Sequence, residues 1–308
     1  MHHKVYLVHT LPFDKAGQFY KGNLHTHSTL SDGNLSPQAV CDFYRTAGYD
    51  FLSLTDHFMK PFGFIIADTH AFATDDFITL IGAELHTGKT EFDQLWHILA
   101  VGLPLDFAPP TAEETGPQIA ARALSAGAFV AAAHPAWYKL TEKDVLSLGA
   151  IHAIEVINGT SADQNDRIDS WYIMDILLMR GKRYTACATD DAHFHPDRDD
   201  AMRGWVHVKS ETLMPEAILQ ALKAGHYYSS TGPQIDDVQV YPNDKIIVKC
   251  SPANRVFLVG QGSSSISVYG NGLREVELSL ANFKSAYGHI IVRDAHGERA
   301  WTNPFWFE

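Results

Sequence analysis

The sequence predicts an α/β protein in which a barrel of seven strands is followed by a small all-β region. Up to about residue 230, short apolar runs alternate with amphipathic segments, which is the pattern of β/α units. After Thr231-Gly232-Pro233 the helix signals disappear and short β-rich runs follow. We therefore expect a barrel domain over 1–232 and a small β-sandwich-like domain over 233–308.

Helices and strands can be assigned in order along the chain. Ser36 as N-cap, Pro37 at the first helical position and Gly48 after the last turn define the first helix. Three more predicted helices end before a glycine, and they cover 118–125, 167–180 and 215–223. The predicted barrel strands are 22–27, 51–54, 77–81, 96–101, 129–133, 153–157 and 183–188. The β-rich runs of the last region are 245–250, 255–259, 265–269 and 288–292.

Composition argues against several classes of protein. The net charge is -12 with no Lys/Arg cluster, so we expect a small-molecule substrate and no nucleic-acid surface. The substrate itself is expected to be anionic. Cys41, Cys187 and Cys250 are far apart, which argues against a disulfide framework and a thiolate metal site. The sequence shows neither the apolar region of a signal peptide nor an apolar run long enough to span a membrane. We therefore expect a cytoplasmic location. The oligomeric state is left open.

Histidine is the most unusual component, with 17 copies against 24 lysines and arginines. His25 and His27 lie on a predicted strand, and a period of two places both on one face, where they can share a metal ion. Asp32, in a turn five residues on, offers a carboxylate. His57 closes the second strand, and Asp56 beside it can orient a ligand instead of binding metal itself.

The same residue types recur near the ends of later apolar runs, at Glu84, His97, His134, Asp191 and His193. Alone, His97 is equally well explained as a core histidine and Glu84 as a salt-bridge partner at the rim. Active sites of α/β barrels, however, are built at the C-terminal ends of the strands. Nine nitrogen and oxygen ligands without cysteine suit Zn, Mn or Fe and are too many for one ion, which indicates two or three divalent metal ions.

The order of these motifs resembles the PHP (polymerase and histidinol phosphatase) superfamily. The resemblance rests on His25-x-His27, Ser31-Asp32-Gly33, Thr55-Asp56-His57, Gly82-x-Glu84, His97, His134-Pro135 and Asp191-x-His193. Further stretches look like the CehA/McbA-type branch, whose members also carry a small C-terminal β domain: 44–51, 154–160, 189–193 and 228–233. The resemblance covers nearly the whole chain. It implies a distorted (β/α)7 TIM-like barrel with a binuclear or trinuclear metal centre.

The resemblance also implies how the ligands are shared. The first ion would take His25, His27 and Asp191 with Glu84 bridging, the second Asp32 and His57, and a third His97, His134 and His193 or some of the others. Asp190 departs from the usual serine before the motif aspartate, so the choice of Asp191 rests on the Asp-x-His spacing.

These ligands predict a metal-dependent hydrolase in which a hydroxide bridges two metal ions held by Glu84 and Asp191 and attacks the substrate. A phosphoesterase acting on a small phosphate ester is the first choice. Hydrolysis of a carbamate, amide or ester carbonyl is the alternative that the branch resemblance favours. A metal-stabilised binding module without turnover is an alternative of another class. A nuclease is disfavoured by the acidic balance.

Several polar residues near the ligands are weaker candidates. His86 and His195 can donate a proton to a leaving group, although surface histidines are common and we leave both out of the predicted site. Asn158, Arg198 and Arg203 are candidate substrate-binding residues. Turn formation explains Asn158 equally well, and a solvated loop charge is the commoner explanation for either arginine.

Overall fold

Helices and strands alternate through the first part of the chain, and strands alone follow. The computed structural model describes residues 11–307. The helices are α1 (Pro37–Thr46), α2 (Gly116–Ser125), α3 (Pro135–Tyr138), α4 (Glu142–Ser147), α5 (Gly159–Asn165), α6 (Trp171–Met179) and α7 (Pro215–Lys223). The strands are β1 (Gln18–Asn23), β2 (Phe51–Leu54), β3 (His57–Phe58), β4 (Ile78–Leu85), β5 (Ile98–Val101), β6 (Phe129–Ala132), β7 (Ala153–Asn158), β8 (Thr185–Thr189), β9 (Trp205–Ser210), β10 (Tyr227–Ser230), β11 (Ile235–Tyr241), β12 (Lys245–Gly260), β13 (Ser265–Ser279), β14 (Tyr287–Arg293), β15 (Arg299–Thr302) and β16 (Phe305–Trp306). The predicted α/β class is confirmed.

The strands form one large sheet in the order β11-β12-β14-β15-β10-β9-β1-β2-β4-β5-β6-β7-β8. β1, β2 and β4 pair in parallel, and so do β6, β7 and β8. Between these two groups, β5 runs antiparallel to both of its neighbours. A parallel bridge between Thr26 and Ala192 joins the chain after β1 to the chain after β8. The C-terminal ends of β1 and β8 therefore lie next to each other.

Capping residues in the sequence predicted the ends of the amphipathic helices correctly. α1 and α7 begin at their predicted prolines, and the Ser36 side chain accepts a hydrogen bond from the Ala39 backbone N–H. The buried face of α1 carries Val40, Cys41 and Tyr44. Each of the four predicted helices is followed by its glycine in the left-handed region, where a glycine residue has no steric penalty.

Several predicted boundaries were wrong by four residues or more, among them the end of β4, which is Leu85 and not 81, and the end of β13, which is Ser279 and not 269. Two others are explained by the hydrogen bonds around them. The helix predicted over 167–180 begins only at Trp171. Asp166, directly after α5, is in the left-handed region, and the Asp169 side chain accepts from the Trp171 N–H. The strand predicted over 22–27 ends at Asn23. Beyond it, His25 and His27 bond to the loop after β8 through Asp191 N–H to His25 O and His27 N–H to Ala192 O.

The C-terminal strands continue the same sheet. β10 pairs with β9 on one side and with β15 on the other, so strand pairing crosses the predicted boundary at 232/233. The runs predicted over 245–250 and 255–259 are one strand, β12, with register shifts between Lys249 and Arg255. This region has its own apolar cluster, which includes Val248, Val256 and Ile290. The division into two domains stays a prediction.

The three cysteines are buried, and none of them forms a disulfide. Within residues 11–307, no helix combines the length and the apolar character that crossing a membrane requires.

Candidate metal centre

All nine predicted ligands gather at one rim of the sheet, and His86 joins them. Four groups of side chains each place their nitrogen and oxygen atoms within 4.8 Å of one another. The groups are His27/Asp32/His57/His193, His57/Glu84/His86/His97, His25/His27/Glu84 and His25/His134/Asp191. The assignment of these residues to individual ions stays a prediction.

Strand pairing explains why the ligands converge. β3 pairs in parallel with β4, and this places His57 directly beside Glu84. His97 precedes β5, so it lies at the start of a strand and not at a C-terminal end. Because β5 runs antiparallel to β4, its start lies at the rim where β4 ends. His97 therefore reaches the same site as Glu84.

Glu84 lies at the middle of the cluster and is 1% exposed. Its Oε1 atom is 2.7 Å from His97 Nδ1 and 3.0 Å from His134 Nε2. Its Oε2 atom is 2.6 Å from His57 Nδ1. Burial raises the pKa of Glu84, but the imidazoles of His97 and His57 outweigh it and hold that pKa well below the usual range. The carboxylate is therefore anionic.

Asp191 is the second buried carboxylate of the cluster. Its Oδ1 atom is 2.8 Å from His27 Nε2 and 3.2 Å from His25 Nε2. Asp191 and His134 both have positive φ, at 55° and 26°. Such conformations cost energy outside glycine and accumulate at functional sites. The backbone is therefore bent at two of the predicted ligands.

Several buried atoms of the cluster have no hydrogen-bond partner, which tests whether a cation fits. His25 Nε2 and Glu84 Oε2 have none, although Asp191 and His57 atoms lie close to them. His57 Nδ1 and His86 Nε2 are hydrogen-bonded at 2.8 Å, so one of the two nitrogens carries a proton that a cation can replace. Imidazole nitrogens and carboxylate oxygens this close together suit divalent cations. The donor set fits such ions.

The imidazoles differ in their electrostatic surroundings. Burial lowers the pKa of His27 to about 3, and the neighbouring His193 and His57 act in the same direction. Neutral imidazole is the form that binds metal. His57, in contrast, has its pKa raised to about 10, because Glu84 and Asp32 outweigh the effect of burial. A metal cation that replaces the proton on His57 would neutralise the charge of Glu84 and Asp32 in its place.

Glu155 supports the centre, and the sequence analysis did not single it out. This fully buried carboxylate accepts from His25 Nδ1 at 2.8 Å and from Thr189 Oγ1 at 2.5 Å on one oxygen. Its other oxygen accepts from the His134 N–H at 2.5 Å and from Asn158 Nδ2 at 3.0 Å. The bond to His25 Nδ1 leaves Nε2 facing the centre. The sequence signal that could have identified Glu155 is that it is the only charged residue in the apolar run 153–157.

Two further aspartates hold loops in place. Asp56 accepts from the Ser28 N–H at 2.7 Å and from Ser31 Oγ at 2.6 Å, so it fixes the turn that carries Asp32. Asp190 accepts from Tyr44 Oη at 2.6 Å and from the backbone N–H groups of 202–204. These four donors explain why a carboxylate stands where related motifs have serine.

The weaker candidates lie in different places. Arg198 lines a cavity of about 200 Å³ at the cluster together with Trp137 and Tyr138. Asn158 is buried, and its amide nitrogen donates to Glu155 and Asp191. Arg203 pairs with Asp199 and lines a separate cavity.

Of the two histidines left out of the predicted site, one lies within the cluster. His86 belongs to the same group as Glu84, and its Nε2 is 3.3 Å from Glu84 Oε2. His195 is half-buried, and its Nε2 forms a hydrogen bond with the Asp32 backbone oxygen at 3.0 Å. His86 is therefore a candidate ligand that the sequence analysis missed.

Comparison with known proteins supports the fold. No protein-family model and no curated protein matches the chain in sequence. A crystal structure from Bacteroides vulgatus, described as a two-domain protein containing a predicted PHP-like metal-dependent phosphoesterase, matches with TM-score 0.51 and 14% identity, over 93% of this chain and 94% of that chain. An amidohydrolase from Chromobacterium violaceum with bound sulfate matches with TM-score 0.44 and 17% identity, over 56% of this chain and 87% of that chain. The chain therefore shares the fold of the Bacteroides vulgatus protein.

Proposed function

We propose that this chain is a metal-dependent hydrolase of the PHP type, and that it acts on a small phosphate ester. The observation that carries the proposal is the convergence of imidazole nitrogens and carboxylate oxygens around buried Glu84, where His25 Nε2 and Glu84 Oε2 have no hydrogen-bond partner. The similar Bacteroides vulgatus protein is described as containing a predicted metal-dependent phosphoesterase.

Two or three ions of Zn, Mn or Fe would be held by His25, His27, Asp32, His57, Glu84, His97, His134, Asp191 and His193, with His86 as an added candidate. When bound, such ions lower the pKa of water and neutralise charge on a transferring phosphoryl group. Glu155 orients His25 for this task, and Asp56 positions the turn of Asp32.

Arg198 is the proposed contact to the substrate's phosphate. It lines the cavity at the cluster, and the oxygen of Gln164, assigned so that its hydrogen bonds are satisfied, accepts from Arg198 Nη1 at 2.7 Å, Nη2 at 3.2 Å and Nε at 3.3 Å. These contacts hold the guanidinium beside the cavity, and the second N–H group of Nη1 and of Nη2 can each bind a phosphate oxygen. The cavity of about 200 Å³ suits a small substrate.

A second candidate function is hydrolysis of a carbamate, amide or ester with an apolar leaving group. Trp137 and Tyr138 line the cavity at the cluster and also a more open groove of about 400 Å³, which Phe92 borders with 59% exposure. An apolar group can lie in this groove while a carbonyl faces the cluster. A metal-stabilised binding module is the third alternative.

The finer structural predictions belong to the same proposal. The Thr26–Ala192 bridge supports a closed, distorted (β/α)7 barrel. We also propose domains over 1–232 and 233–308, a CehA/McbA-like affiliation and a cytoplasmic location.

Metal content measured by elemental analysis, beside a hydrolysis screen, tests the function. The screen compares phosphomonoesters, phosphodiesters and aryl carbamates with added Mn or Zn, for wild type, His25→Ala and the control His70→Ala, whose side chain is 68% exposed. We expect two to three equivalents of metal and phosphoesterase activity, both lost only in His25→Ala. Turnover of carbamates alone would establish the second candidate, and metal without any turnover would establish the binding module.

A further inference from the structure

Three arginines lie side by side on one face of the C-terminal sheet. Arg255 on β12 pairs in register with Arg293 on β14, and Arg293 pairs in register with Arg299 on β15. We call these three residues the arginine row. Direct register partners share one face of a sheet, and like charges placed opposite each other destabilise it. Such a row is notable in a chain with net charge -12.

The chain neutralises this row only in part. Arg255 lies 3.6 Å from the ring centre of Tyr269 and 4.5 Å from that of Phe257. Arg299 is 4.0 Å from Asp169. Among residues 11–307, no carboxylate lies within 4.0 Å of the guanidinium of Arg255 or Arg293. Positive charge therefore remains available on the row.

A cavity of about 210 Å³ adjoins the row between α6 and the sheet. Arg293 and Arg299 form one part of its wall, and apolar side chains such as Trp301 line it. Trp171 and His289 also line the cavity and are 9% and 2% exposed. Trp171 Nε1 and His289 Nδ1 have no hydrogen-bond partner. Buried polar atoms without partners are uncommon, and a bound ligand can supply the partner.

The same cavity also carries acidic side chains. Asp169, 4.0 Å from Arg299, and Asp175 line it, and Asp175 Oδ1 has no hydrogen-bond partner. Burial and the neighbouring Asp169 raise the pKa of Asp175 to about 6. A ligand that suits this lining needs an anionic end at the arginines and hydrogen-bond donors at the aspartates. Hydroxyl groups meet the second condition and also accept from ring N–H groups.

We propose that this cavity and the arginine row form a second binding site, which takes a small organic phosphate with a hydroxylated body. The phosphoryl group lies against the arginine row, where guanidinium groups bind phosphate oxygens in pairs. The hydroxylated body enters the cavity beside Trp171 and His289. No residue that lines this cavity lines the cavity of the metal centre. The site therefore binds its ligand independently of the hydrolase reaction.

Isothermal titration calorimetry on the full chain, freed of metal by EDTA, tests this site. The probes are glucose 6-phosphate, inorganic phosphate and glucose. We expect glucose 6-phosphate to bind, phosphate to bind more weakly and glucose to give no measurable heat. Failure of glucose 6-phosphate to bind, or equal binding of glucose, would overturn the proposal.

Three variants locate the binding. Arg293→Ala should weaken glucose 6-phosphate at least 10-fold, since about 1.4 kcal/mol corresponds to tenfold and charged hydrogen bonds exceed that. Arg274→Ala, an exposed arginine of β13 outside the row, and Arg198→Ala at the metal centre should bind like wild type. Unfolding curves check that each variant folds. Binding that is lost in Arg198→Ala and retained in Arg293→Ala would assign the ligand to the metal centre instead.

Discussion

The metal centre and the arginine row both bring like side chains together, yet only the first is buried. At the metal centre, His25 and Glu84 are 0% and 1% exposed, and each lies among groups of opposite charge. In the arginine row, Arg299 is 44% exposed, and water screens much of the repulsion. A buried cluster therefore depends on every partner, whereas a surface row tolerates its imbalance.

Glu84→Gln should give the largest effect, because it removes the negative charge at the middle of the buried cluster. The amide NH₂ group would face imidazole nitrogens that now surround a carboxylate oxygen. We expect metal affinity to fall by more than about 100-fold, at or beyond the upper end for loss of a supporting partner. Competition with a chromogenic chelator measures it. Glu277→Gln, exposed on β13, is the matched control, and equal affinity of the two variants would contradict the central role of Glu84.

Glu155→Gln tests whether the centre depends on a residue that binds no metal. All four hydrogen bonds to Glu155 are donated to it, so an amide nitrogen in place of one oxygen loses at least one of them. We expect metal affinity to fall by about 10- to 100-fold.

Comparing metal affinity with metal-free stability distinguishes loss of His25 orientation from a general loss of folding stability. If Glu155 orients His25, the unfolding midpoint of metal-free Glu155→Gln should change far less than its metal affinity. A large loss of metal-free stability with unchanged affinity would show that Glu155 serves the core alone.

His207 offers a contrast with the histidines of the metal centre, because it is buried without a carboxylate partner. Its Nε2 accepts from Trp205 Nε1 at 2.9 Å. Burial, with a smaller effect of Lys21, lowers its pKa to about 3. As the pH falls, the unfolded state binds the proton before the folded state does. The contribution of His207 to stability is therefore constant above about pH 6.5 and falls as the pH drops from 6.5 toward 3.

The expected slope is about 1.4 kcal/mol per pH unit for this one proton. Urea unfolding in EDTA across pH 4 to 7 measures it without a contribution from metal release. His207→Gln keeps an acceptor for Trp205 and removes the proton site, so its slope should be smaller by that amount. Identical slopes would show that His207 does not resist protonation.

Arg293→Ala should have the smallest effect on stability, and the effect should be favourable. Removing the middle charge relieves two like-charge contacts, each worth a few tenths of a kcal/mol. Urea unfolding at low salt, with Arg274→Ala as control, measures the change. A loss of stability would show that the contact of Arg293 with the Phe257 ring outweighs the repulsion.

Sequence patterns singled out the predicted ligands because each pattern is local. His25-x-His27, Thr55-Asp56-His57 and Asp191-x-His193 stand beside strands that their own apolar residues define. The ends of α1 and α7 were equally local, since Ser36, proline and glycine act within one turn. These parts of the fold and site followed from neighbours along the chain.

Tertiary structure alone decided the contacts between distant segments. The antiparallel direction of β5 brings His97 to the rim, and no residue near His97 encodes that direction. Glu155 accepts from side chains up to 130 residues away, so only the folded chain shows that it orients His25. The arginine row likewise arises from strand register between β12, β14 and β15. The sequence by itself determined which chemical groups are available, and packing decided which of them share a site.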